Sequence, residues 1–194
     1  MTNTSLNTPD NIARAINTTS DPGAYRIYKA FSANELKELR NEALKEYIYF
    51  KYYVVSRILG DLKKQSENGQ HEYSFFEYHL DITNCLSKHF TSSIGKKLGY
   101  GCTMEEMLEH NTFFIDIMET DEDMPIGEGF VTTMGYPQLR YNSTLIGEID
   151  TAANESMNFL FDVMICQRKP DSASNFFVLI GVVVLIALLI YWLF

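Results

Sequence analysis

From Phe176 to Phe194 the chain runs through nineteen residues without a charge, FFVLIGVVVLIALLIYWLF, and fifteen of them are Leu, Ile, Val or Phe. At about 1.5 Å of rise per residue such a helix is roughly 28 Å long, close to the hydrocarbon thickness of a bilayer. A helix at the surface of a soluble domain keeps one polar face, and this stretch has none. The expectation is a single C-terminal transmembrane anchor with Phe176, Val183, Leu185, Leu188 and Phe194 among its apolar residues. Tyr191 and Trp192 fall where an interfacial aromatic belt would place them.

The flanks of the span predict its orientation. Arg168 and Lys169 precede it and no basic residue follows, so the N-terminal domain is expected on the cytoplasmic side. The first thirty residues lack the apolar core of a signal peptide, in keeping with a tail-anchored protein. Cys85, Cys102 and Cys166 are odd in number and scattered, which predicts free thiols in a reducing compartment. Asn3, Asn17, Asn142 and Asn154 each open an N-x-[ST] sequon; in a chain facing the cytoplasm these read as chance in an Asn- and Thr-rich sequence.

Ahead of the anchor about 170 residues suffice for one domain with a substantial core. The fold expected is mainly α with a small antiparallel β element, an α+β domain. Residues 1–24 are polar, carry Pro9, Pro22 and Gly23, and predict a flexible or partner-ordered arm. Ser32 and Glu35 form a capping box, after which Leu36, Leu39, Ala43, Tyr47, Phe50, Val54, Ile58 and Leu62 keep one helical stripe to about Lys64. The run EYIYFKYYVV is apolar beyond one stripe, so a second face is expected to pack as well. Ser74 with Glu77, and Thr103 with Glu106, announce two further helices. NTFFIDIM and the alternating residues that follow, broken by Gly135 and Pro137, predict a hairpin or small sheet over about 111–147. Met157, Leu160, Phe161 and Met164 suit a helix over about 151–167, stopped by Pro170. The mainly helical domain then spans 25–169, with a short linker over 170–175 and the anchor over 176–194.

The net charge of −9 disfavours binding to nucleic acid through phosphate neutralisation, and wide contact with anionic lipid. The charge is also uneven. Arg26 to Lys64 holds nine Lys or Arg against five Asp or Glu, a net of +4; Thr103 to Asp150 holds eleven acids against Arg140, a net of −10. The two regions can attract each other within one molecule or between copies. Glu119, Asp121, Glu122 and Asp123 form an acidic turn and are the candidate partner-contact residues.

No motif names a reaction. Cys85 and His89 share a helical face with Cys102 and His110 downstream, but the spacing matches no common zinc pattern. An EF-hand loop started at Asp121 meets Pro125 at its fifth position. IGKKLGYGC has its lysines ahead of the glycines, as at a helix end and unlike a phosphate loop. No catalytic residue, cofactor site or metal site is predicted.

The layout, a helical domain of this length before an apolar tail, is similar to that of the Bcl-2-like apoptosis regulators. That resemblance implies a groove that binds an amphipathic helix. The Asn-Trp-Gly-Arg stretch usual in that family has no counterpart, since Trp192 lies in the span. A SNARE-type coiled coil is excluded by Pro125, Pro137 and Pro170 in the region before the anchor. The functional expectation is a non-enzymatic structural or docking module held to a lipid bilayer. A minor capsid or membrane-anchoring assembly protein of a virus with an internal membrane fits that layout, with shell or scaffold proteins as partners. The alternatives are the Bcl-2-like regulator and a membrane-tethered enzyme without a recognisable motif.

Overall fold

The structure, a computed structural model, describes residues 6–19, 21–32, 34–65, 72–89, 104–120 and 124–165. Helix α1 (Pro9–Asn17) begins where the Thr8 side chain accepts from the Asn11 N–H at 3.3 Å and Pro9 takes the first helical position. Helix α2 (Pro22–Ala30) repeats the device, with Asp21 accepting from the Ala24 N–H at 2.9 Å ahead of Pro22. Ile12 and Ile16, one turn apart, and Ala24 with Ile27 are buried. The arm expected over residues 1–24 is therefore, from Pro9 onward, ordered on the protein's own core. Each helix buries only a few apolar residues, which an otherwise polar composition conceals; the paired cap and proline are the legible sign.

A 3-10 segment (Asn34–Leu39) leads into α3 (Arg40–Gln65). Ser32 donates to the Tyr28 carbonyl at 2.5 Å and so ties back onto α2, and the α-helix proper starts only at Arg40. Every residue from Glu46 to Val55 is buried. A helix without a solvent face must run through the middle of a domain, and α3 does so. It is covered by α1, α2, α4 (Glu72–His89), α5 (Met104–Thr120), α6 (Ile126–Thr133) and α7 (Ser143–Met164). The second packing face expected of EYIYFKYYVV is present, with Tyr49, Tyr52 and Phe50 among its fully buried rings.

The β element expected over 111–147 is corrected: among the described residues there is no strand, and the domain there is all-α. NTFFIDIM continues α5, because Phe114 is buried seven residues after Met107, and Ile115 and Met118 pack beside it at helical spacing. Strand alternation would pair Phe113 with Ile115 on one face, whereas Phe113 is 52% exposed. The following glycines are close-packing positions of α6. The Gly127 N–H donates to Asp150 at 2.7 Å, and a Cβ there would stand 2.7 Å from the Ile146 carbonyl oxygen. Gly135, at φ 83°, makes the turn into a 3-10 segment (Pro137–Tyr141). Asn142 then caps α7 by accepting from the Leu145 N–H at 3.1 Å, so that helix starts well before residue 151.

Chain ends of the domain meet. Asn7 donates from its backbone N–H to the Met164 carbonyl at 2.8 Å and from its side chain to that of Val163 at 3.0 Å, closing the last turn of α7. The oppositely charged regions also meet inside the molecule: Arg26 binds Glu148 at 3.0 Å and Lys45 approaches Glu106 at 3.8 Å, and just beyond the acidic region Glu155 binds Arg26 at 2.9 Å. Among the described residues no helix is long and apolar enough to cross a membrane. The linker and the anchor lie outside those residues.

Candidate functional site

Beyond Val55 the cover over α3 is incomplete, and a cleft of about 500 Å³ opens between α3 and α7. One wall is a stripe of α3 at three- and four-residue steps: Phe50, Val54 and Ile58, with Tyr53 beside them. Phe50, Tyr53 and Val54 are buried at the base of this wall, and Arg57, Ile58 and Asp61 carry it out to solvent. Met157, Asn158 and Phe161 of α7 form the opposite wall, and Phe161 is 47% exposed at the lip. Met118 of α5, Met124 from the residues before α6, and Ile126 of α6 complete the lining. Gly129 gives Met118 its place, since a Cβ there would lie 2.6 Å from the Met118 Cε. The cleft's polar groups are Asn158, the Tyr53 hydroxyl, and Arg57 and Asp61, one helical turn apart on α3. The lining is mainly apolar and rich in thioethers, which adapt to irregular partners.

On the other side of α3 the polar chemistry is sealed in. Lys51, 0% exposed, donates to Asp21 at 3.0 Å, to the Ala15 carbonyl at 3.1 Å and to the Thr18 carbonyl. Tyr47 donates to the same Asp21 at 2.7 Å. One ammonium thus satisfies carbonyls at the end of α1 and the carboxylate that starts α2. Burial pulls the Lys51 ammonium down from its ordinary pKa and the Asp21 carboxylate opposes that pull. Burial pushes the Tyr47 hydroxyl well up, and the Asp21 charge adds to it. Closed from solvent on all sides, the cluster holds structure and offers a substrate no entrance.

Two imidazoles mark the seams of α3. His110 meets the buried Glu46 carboxylate at 3.1 Å and stacks on Tyr49 with ring centres 4.2 Å apart. His79 lies 3.2 Å from Ser56 Oγ, and burial lowers its pKa. Ser56 donates its own proton to the Tyr52 carbonyl at 3.0 Å, which leaves it an acceptor from the ring. That is the reverse of a nucleophile and its base.

Sequence-derived candidates are dispersed. His89 pairs with Asp10 of α1 at 2.8 Å and Cys85 packs on the core, so the two do not converge as ligands. Among the described residues no three His, Cys, Asp or Glu side chains gather as a metal site. Glu119 falls in the last turn of α5 without a described side chain, and Asp121, Glu122 and Asp123 lie outside the described residues. In sequence all four sit between Met118 and Met124, both of which line the cleft. The cleft itself escapes sequence reading. Its traces are the Phe50, Val54 and Ile58 spacing and the one-turn step from Arg57 to Asp61.

No family model matches the chain, and comparisons with curated proteins and with solved structures return no match either.

Proposed function

We propose that this chain is a membrane-attached, non-enzymatic docking module that receives an amphipathic helix of a partner protein along the groove between α3 and α7. The observation that carries the reading is the groove's shape and chemistry. Its partly exposed apolar groups, Ile58, Met118, Met124, Ile126 and Met157, with the exposed Phe161, form an apolar patch into which bulky residues one helical turn apart, at i and i+3 or i+4, would descend between Ile58 and Met157. Arg57 and Asp61, spaced by one turn, complement a partner helix that carries a carboxylate and a cation one turn apart on its polar flank. The uncharged segment 176–194 supports attachment to a bilayer.

Two experiments test the two halves. Val183→Arg with Leu185→Arg is expected to move the full-length protein into the fraction released by alkaline carbonate; continued resistance to extraction would sink the anchor. A photo-crosslinker in place of Phe161, used in the native membrane, is expected to capture a segment with apolar residues at helical spacing. Ile58→Glu should abolish that capture. Crosslinks spread over coat or scaffold proteins and unaffected by Ile58→Glu would favour an assembly role and remove the groove from it.

A further inference from the structure

Three of the chain's eight methionines come together in one place. Met118 from α5, Met124 from the residues before α6 and Met157 from α7 all line the groove, and each is partly exposed. Met107, Met134 and Met164 are buried in the core. A thioether's reaction with a peroxide requires access to its sulfur lone pair, so the structure divides these methionines into two classes by position.

We propose that Met118, Met124 and Met157 form a reversible oxidation site that closes the groove to an apolar occupant. The regulation rests on the docking reading above; the modification does not. The thioether sulfur attacks one oxygen of hydrogen peroxide, the S–O bond forms as the O–O bond breaks, and the departing hydroxide takes the remaining proton and leaves as water. Sulfur loses two electrons and the peroxide gains them. Methionine sulfoxide reductase, using thiols, reverses the change. The product is a polar sulfoxide in a lining whose other polar residues are Tyr53, Arg57, Asp61 and Asn158. At Met118 the consequence is steric too, because its methyl group is packed over Gly129.

The test uses the full-length protein in lipid nanodiscs, treated with dilute hydrogen peroxide and mapped by peptide mass spectrometry. The three groove methionines are expected to oxidise roughly tenfold faster than Met107 and Met134. Amide exchange across residues 54–61 and 157–161 should change in the parent, return after reductase treatment, and stay constant in the M118L, M124L, M157L triple variant, whose volume is nearly unchanged. Even oxidation across both classes, or the same exchange response in the triple variant, overturns the proposal. A fluorescent Leu-rich amphipathic 16-mer separates the two readings. Release of the bound peptide on oxidation supports both, and equal binding before and after oxidation overturns the regulation. If the peptide never binds, the docking reading fails alone, and the oxidation map with the exchange data still decides the site.

Discussion

Helix α3 presents two faces that invert the usual distribution of polarity. Toward α1 and α2 it buries a charge: Lys51 is fully enclosed and held by Asp21 and two carbonyls. Toward the far part of α7 it exposes an apolar groove whose charges, Arg57 and Asp61, sit on the rim. A buried ion is tolerated only when its hydrogen-bonding capacity is filled, which fixes the surrounding backbone in one arrangement. Apolar surface left open carries no such constraint, and its stabilisation is realised only when something covers it. The sealed face thus accounts for architecture, and the open one is where recognition is expected.

The largest effect should come from breaking the sealed face. Asp21→Ala removes the partner of Lys51, the acceptor of Tyr47 and the cap of α2 together. Urea denaturation of the full chain should show a loss of about 3–5 kcal/mol. Joining Asp21→Asn to Lys51→Met should recover much of that loss, because an uncharged pair of similar volume leaves no ion stranded. Asn keeps the cap of α2, so a double variant as unstable as Asp21→Ala would mean that the Ala15 and Thr18 carbonyls left without Lys51, and not the stranded charge, dominate there.

Next in size is Gly127→Ala, which forces a methyl group against the Ile146 carbonyl. A cost of about 1–3 kcal/mol is expected in thermal melts, and an unchanged midpoint would show that α6 shifts freely against α7. The open face should respond in the opposite manner. Ile58→Glu should alter stability by less than about 1 kcal/mol while weakening partner binding by roughly tenfold or more. A stability loss as large as that of Asp21→Ala would make the groove a core element and erase the contrast.

The smallest effect concerns His79 at the α3–α4 seam. Burial lowers its folded pKa, so below the ordinary value of 6.5 the unfolded chain binds the proton more readily. Stability should therefore fall as pH drops from 6.5 toward the lowered folded value, and rise again with pH. His79→Gln should flatten that slope in urea titrations between pH 7 and 5, whereas a slope that persists must come from another group.

Some of this molecule was legible before any coordinates. The run from Glu46 to Val55 announced a helix that packs on a second face, and the Leu, Met and Phe spacing from Met157 announced the C-terminal part of α7. The polar N-terminal stretch misled because its helices each rest on only a few apolar residues and on a cap followed by proline. NTFFIDIM misled because a short, β-branched apolar run suits either period, and the arbitration came from Met107, a turn and more upstream, which shares the buried face of Phe114. The need of Gly127 and Gly129 is for proximity to Ile146 and Met118, neighbours that the linear order does not reveal.

By itself the sequence determined local matters: which stretches carry a helical apolar period, which residues avoid water, and that the segment 176–194 has no polar face. Those follow from side-chain period and transfer free energy, both of which act over a few residues. Only the tertiary structure decided that Lys51 and Asp21 share one enclosed site and that Ile58, Met118 and Met157 share one open groove. Both depend on residues from separate helices meeting in space, and no local signal records which part of an apolar helix its neighbours leave uncovered.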